Sequence, residues 1–172
     1  MNSCVLTHGT WPVCENDKPM ARIYVASSWR NTKQQEIVHL LREYGHDVYD
    51  FTKPNDEAMS NVWEDIHLNH DLCSSDQYIE AISDPFVIKR FEDHVNAMMA
   101  ADTCILLLPC GSSAHSEAGF MAGLGKMVFV LNTETELKPE LMYRLFHGYT
   151  SNILDLLTWM DEPAPHPQDQ AP

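Results

Sequence analysis

The stretch Thr103–Leu131, TCILLLPCGSSAHSEAGFMAGLGKMVFVL, decides the architecture. It opens on an apolar run, Thr103 to Pro109, that is short for a helix and apolar enough to be buried on both faces of a sheet. A Gly/Ser loop follows, then a helical pattern from Ser116 to Gly125 and a second apolar run from Met127 to Leu131. Strand, helix and strand in that order make the βαβ unit of a parallel sheet.

The same rhythm extends outward. Ala21 to Ala26 (ARIYVA) reads as the first strand, and Asn31 to Tyr44 as a helix with Ile37, Leu40 and Leu41 on one stripe and Gly45 as its stop. Asp47 to Phe51 (DVYDF) is the second strand. An irregular polar region from Thr52 to Asn61 leads to amphipathic turns at Val62 to Leu68 and Gln77 to Ile82. A helix from Pro85 to Ala100 then opens on the signals Asp84 and Pro85. Beyond Leu131 the pattern predicts a helix from Pro139 to Phe146, a weak fifth strand near Tyr149 to Asn152, and a last helix from Ile153 to Met160. The expected fold is α/β, a flavodoxin-like or Rossmann-like parallel sheet of about five strands with helices on both faces. Ligands of such sheets bind beyond the strand carboxyl ends at the topological switch point, here flanked by the first and third strands.

A length of 172 residues suits one domain. Residues 1–19 show no sustained period and read as an N-terminal extension, 20–161 as the domain, and 162–172 as a Pro-rich disordered tail. Eleven Lys and Arg against 25 Asp and Glu give 11 − 25 = −14, a field that opposes nucleic-acid polymers and anionic membrane surfaces. A small nucleotide stays compatible, because local amide groups can hold its phosphate. No apolar run approaches the ~18 residues of a membrane span, and residues 1–20 lack the apolar block of a signal peptide, so a cytoplasmic protein is expected. Cys4, Cys14, Cys73, Cys104 and Cys110 are odd in number and fit free thiols. Cys4, His8 and Cys14 have no second cluster of matching spacing, so no metal site is expected.

Two strand-to-helix junctions carry small polar residues: Ser27-Ser28-Trp29-Arg30-Asn31, and Cys110 through Gly119. Such residues let backbone amides approach a ligand at a helix N-terminus, and the same types serve as ordinary helix caps. Glu117 stands out there, near the start of a helix whose Ala118, Gly119, Ala122 and Gly123 suggest a small-residue face packed on the sheet. A carboxylate so placed either stabilises the helix dipole or attacks an anomeric carbon. Trp63, with Asp65, reads more readily as an anchor under a long loop than as a pocket wall, and Met98, Met99 and Met142 as core fillers or subunit contacts.

Four strings in succession carry a family resemblance: IYVASSWRN at Ile23 to Asn31, AMMAAD at Ala97 to Asp102, CILLLPCGSSAHSEAGFMAGLGK, and KPELMY at Lys138 to Tyr143. Together, over about Met20 to Leu157, they resemble the nucleoside 2-deoxyribosyltransferase family. The resemblance implies cleavage of the N-glycosidic bond of a nucleoside, or in related branches of its 5′-monophosphate, without a metal or redox cofactor. It also implies a homodimer or higher homo-oligomer with active sites completed between subunits. By position Glu117 matches the family's nucleophile, Tyr24 the tyrosine that orients it, and Trp29 a tryptophan beside the base. Ser27, Ser28, Arg30, Gly111, Ser112, Ser113, His115, Glu140 and Met142 fall at substrate-binding positions.

This chain departs from the family pattern in three ways. The position of the base-protonating aspartate falls at His94, with Asp93 one residue earlier. At 100° per residue only one of the two can face the crevice; helix geometry favours His94 and analogy favours Asp93. The loop before Glu117 holds Ser112, Ser113 and Ser116 where members acting on free nucleosides tend to carry an acid, which favours a 5′-phosphate near His115 and Arg30. Glu140 stands where transferases place an asparagine that reaches the sugar 5′-hydroxyl from a neighbouring subunit, and a carboxylate there opposes a phosphate. Base identity, ribose against 2-deoxyribose, and transfer against hydrolysis stay open on this reading. The alternatives are a nucleotide N-glycosidase, an NAD glycohydrolase and a non-catalytic nucleotide sensor.

Overall fold

The computed structural model describes residues 20–53, 61–69, 72–136 and 138–161. The expectations for 1–19, for 162–172, for Cys4, His8 and Cys14, and for most of the loop 52–61 lie outside the described residues.

Five parallel strands form one sheet in the order β2-β1-β3-β4-β5: β1 Arg22–Ala26, β2 Asp47–Tyr49, β3 Thr103–Leu108, β4 Met127–Asn132 and β5 Gly148–Thr150. This is the flavodoxin-like order, and its switch point lies between β1 and β3. Every residue of β3 is buried, as the continuous apolar run requires of a central strand covered twice. Strand alternation divides the core. Tyr24, Ala26, Cys104, Leu106, Leu108, Val128 and Val130 face one side, and Ile23, Val25, Ile105, Leu107, Phe129 and Leu131 face the other.

Helices α1 (Gln34–Glu43) and α6 (Ile153–Asp161) cover the second side through Ile37, Val38, Leu41, Leu156 and Leu157. Helices α4 (Pro85–Ala100) and α5 (Ser112–Gly123) cover the first through Met98, Ala114, Ala118 and Met121. Two shorter helices, α2 (Val62–Asp65) and α3 (Ser75–Ile82), precede α4. Helix α3 opens on a capping box between Ser74 and Gln77, and α4 on Asp84, whose carboxylate accepts from Phe86 N at 2.7 Å. Lys126 Nζ donates to the carbonyls of Met99 and Ala101 and closes α4 at its other end. Gly45 and Gly125, at φ of 90° and 75°, end α1 and α5 in the left-handed region that glycine adopts without strain. No helix among the described residues is long and apolar enough to cross a membrane.

Several expectations need correction. Helix α5 begins at Ser112, four residues before the predicted start, because Gly111 takes the N-cap position and the Ser-Ser pair that resembled a loop forms the first turn. Glu117 therefore sits in the second turn. The face of α5 packed on the sheet is Ala114, Ala118 and Met121, whereas a Cβ added at Gly119 or Gly123 would meet nothing within 4 Å. Helix α1 starts at Gln34 rather than Asn31, because Asn31 is drawn into the junction with β3. The expected helix from Pro139 is a 3₁₀ turn, Leu141–Leu145, capped by Glu140, and β5 lies one residue upstream of its predicted start. Of the methionines, Met98 is core, while Met99 and Met142 are exposed. Phe91 of α4 is 67% exposed and lines the cavity described below.

Candidate active site

The carboxyl ends of β1 and β3 lie side by side, and hydrogen bonds between their loops hold them together. Ser27 Oγ donates to the Leu107 carbonyl at 3.1 Å. The Asn31 amide, itself buried, donates to the carbonyls of Leu107 (3.5 Å) and Pro109 (3.2 Å), while its oxygen accepts from Lys33 N at 2.9 Å. Ser28 Oγ accepts from Arg30 N at 3.1 Å. Above this junction opens a cavity of about 1210 Å³, with Ser27, Ser28, Trp29, Arg30, Gly111, Ser112 and Ser113 in its lining. Gly111 supplies no side-chain cap, so the first-turn N–H groups of α5, which have no intrahelical acceptor, belong to residues that line the cavity.

Glu117 and His94 meet in this cavity. One turn beyond the α5 N-terminus, beside the sheet-packed Ala118, the Glu117 carboxylate is 19% exposed. Its Oε1 lies 3.6 Å from His94 Nδ1 of α4, whose side chain is 28% exposed. The His94 ring touches two aromatic rings, Tyr49 at 6.4 Å between centroids and Phe51 at 6.2 Å. Asp93 points elsewhere on α4, outside the cavity lining, and accepts a hydrogen bond from Lys89 one turn before it.

Tyr24 emerges from β1 on the same side of the sheet as Ala118. Its hydroxyl is buried beside the Glu117 carboxylate, the polar group within its reach, and makes no close hydrogen bond. Burial pushes the phenol pKa well above its ordinary range, and the nearby Glu117 charge pushes it further. The same two causes, in the same order, raise the thiols of Cys104 and Cys110, the latter to about 12. Glu117 thus has Tyr24, Cys104 and Cys110 about it as groups that keep their protons.

Trp29 meets Phe51 edge to face at 5.1 Å and lines the cavity. Trp63, expected as an anchor under the loop, packs on Tyr78 at 6.2 Å and lines the cavity as well. His115 is placed differently. Its Nδ1–H donates to the Gly111 carbonyl at 2.8 Å, which leaves Nε2 to accept from the Tyr143 hydroxyl at 2.9 Å, and the two rings stack at 5.8 Å. Glu140 accepts from Met142 N at 3.0 Å, and the Met142 side chain is exposed on the same turn. None of His115, Glu140 and Met142 lines the cavity. Among the described residues no group of three His, Cys, Asp or Glu is placed to hold a metal ion.

Sequence reasoning passed over Tyr49 and Phe51, the structural role of Asn31, and Arg90, which lines the cavity, pairs with Asp65 at 3.5 Å and lies over the Phe86 ring. The alternation in DVYDF was a usable signal for the first two, since alternate residues of a strand share a face.

Comparison with protein-family models and with curated proteins finds no match. Among solved structures the chain is similar to the 2-deoxyribosyltransferase of the psychrotolerant bacterium Bacillus psychrosaccharolyticus, at TM-score 0.52 and 20% identity over 79% of this chain and 90% of that one. The Clostridium botulinum CMP N-glycosidase aligns over 81% of this chain and 97% of its own, at TM-score 0.40 and 18% identity. The expected resemblance is met at the level of the fold: this chain and the 2-deoxyribosyltransferase share one α/β architecture.

Proposed function

We propose that the cavity cleaves the N-glycosidic bond of a (2-deoxy)nucleoside or its 5′-monophosphate, with Glu117 as nucleophile and His94 as the acid at the departing base. The observation that carries this reading is the pairing of a mostly buried carboxylate with an imidazole, 3.6 Å apart, at the switch point of the sheet. A Glu117 oxygen attacks the anomeric carbon as the bond from that carbon to the base nitrogen breaks. The bonding electrons leave with the base, and the His94 imidazolium protonates it. A second base or water then attacks the anomeric carbon and gives up its proton to the His94 imidazole, the bond from that carbon to Glu117 breaks, and Glu117 returns as a carboxylate. What supports His94 over Asp93 is its place in the cavity opposite Glu117, against the pairing of Asp93 with Lys89 outside it. In this reading the Tyr24 hydroxyl holds Glu117 in line for attack and Trp29 flanks the base.

Hydrolysis of a 5′-monophosphate is the second reading. It draws support from Ser112, Ser113 and Arg30 in the lining, beside an α5 N-terminus without a side-chain cap. In a homo-oligomer Glu140 and Met142, on an exposed turn, would serve a neighbouring copy's site rather than their own. Incubation with a panel of nucleosides and 5′-monophosphates, with and without an acceptor base, tests both readings by chromatography. Free base is expected from at least one substrate, with a new nucleoside on addition of acceptor if transfer occurs. Glu117→Ala should abolish release while ligand binding persists; full activity in that variant, or no release from any substrate by the native protein, would overturn the mechanism.

A further inference from the structure

We propose that Tyr49 is a positioning residue that holds the His94 imidazole against Glu117; its catalytic consequence rests on the reading of His94 as the acid. Tyr49 is absent from the cavity lining, so it acts through His94 rather than on a ligand. Three constraints fix it. The sheet register sets it opposite Tyr24, and the two rings stack face to face at 5.5 Å and 11°. Two residues on, Phe51 shares its side of the chain. Between them Asp50 turns the other way and is locked in place. It accepts from Gln34 Nε2 (2.9 Å), Gln35 Nε2 (2.7 Å), Thr52 N (2.9 Å) and Thr52 Oγ1 (2.7 Å), so the backbone carrying both rings is tied to α1.

The imidazole meets the Tyr49 ring at 77° and the Phe51 ring at 55°, with Glu117 3.6 Å away. The ionisable groups about it are Glu117 from α5, Tyr49 from β2, the Tyr24 phenol behind Tyr49, and Asp93 and Arg90 on its own helix. The last two are engaged with Lys89 and Asp65. An imidazole turns freely about two side-chain bonds unless neighbouring rings confine it. Tyr49 and Phe51 supply that confinement, and they leave the nitrogen nearest the carboxylate facing it.

The test compares Tyr49→Leu with Tyr49→Phe, using both base release and the NMR signals of the His94 ring, assigned by difference from His94→Gln. In Tyr49→Leu we expect kcat to fall about 10- to 100-fold, the cost of a misplaced catalytic group, with KM changed little. The His94 ring-proton shifts should move with it. Tyr49→Phe, which keeps the ring, should restore most of the kcat and the native His94 signals. Should Tyr49→Leu fail to fold, Tyr49→Met carries the same expectations. Unchanged His94 signals in the leucine variant, or an equal loss of kcat in the leucine and phenylalanine variants, would overturn the proposal. Native protein that releases no base but whose His94 signals respond as expected supports the positioning and sinks the reaction. Native protein that releases base with a leucine variant indistinguishable from it sinks the positioning alone.

Discussion

Replacing Tyr24 by Phe separates the stability of this fold from its proposed activity. The Tyr24 hydroxyl is buried with no close hydrogen bond, Glu117 being the polar group within its reach, and so poorly satisfied a neutral polar group costs on the order of 1–3 kcal/mol. Phe keeps the ring and its stack on Tyr49 and removes only the oxygen. Taking the low end of that range, Tyr24→Phe should stabilise the protein by about 1 kcal/mol at pH 8, and raise Tm by roughly 2–4 °C at this chain length. The gain should grow in alkali. In the folded chain burial holds the phenol pKa well above its ordinary value, whereas in the unfolded chain the group ionises near pH 10. Above pH 10 the unfolded state therefore binds fewer protons, and native stability, unaffected by this group below that pH, is lost as pH rises toward the folded value. At pH 11 the loss from Tyr24 is about 1.4 kcal/mol, so the variant's advantage should reach about 2.4 kcal/mol. Urea unfolding at pH 8 and pH 11 measures both numbers. A variant less stable by about 1 kcal/mol at pH 8 would mean the hydroxyl is paired in solution, and an advantage unchanged at pH 11 would refute the burial argument. Base release should fall about tenfold in the same variant, the equivalent of one hydrogen bond.

Three other substitutions and one labelling reaction probe the surroundings. Asn31→Ala removes buried hydrogen bonds to Leu107 and Pro109 and should cost about 1–3 kcal/mol in urea unfolding; a loss below about 0.5 kcal/mol would show that the loops hold without it. Gly148→Ala would place a Cβ 2.8 Å from the Trp159 ring and should destabilise by about 1–3 kcal/mol, with a near-neutral result showing that the tryptophan moves aside at little cost. With its thiol pushed up to about 12, Cys110 should react with iodoacetamide at pH 8 about a thousandfold more slowly than an unperturbed thiol, as followed by peptide mapping. In Glu117→Gln it should react faster, because one of the two causes of its shift is gone.

The limits of the sequence reading show at individual residues. The 3.6-residue period of α4 establishes that Asp93 and His94 diverge, yet the rotation of the whole helix about its axis depends on where Val95, Ala97 and Met98 meet the sheet. That rotation brings His94 to Glu117 and leaves Asp93 with Lys89. His115 shows the same limit at longer range. It sits in a segment that reads as a loop cradling a ligand but opens helix α5, and Tyr143, 28 residues later, takes its second ring nitrogen. Gly119 and Gly123 look like a packing face by composition, but alanines at the right helical positions meet the sheet instead.

By itself the sequence determines the alternation of strands and helices, the all-buried β3 and the two small-residue junctions after β1 and β3. These follow from local period and from steric rules acting within a few residues. Right-handed crossovers limit the strand order to a few arrangements, and the flavodoxin-like one adopted here puts the crevice between β1 and β3. Which side chains meet there is decided only by the tertiary structure. Contacts such as Glu117 with His94, Tyr49 with Tyr24, and Asn31 with Pro109 join elements far apart in the chain. Their distances depend on register and helix rotation, which are set by burial of the entire core and not by any one segment.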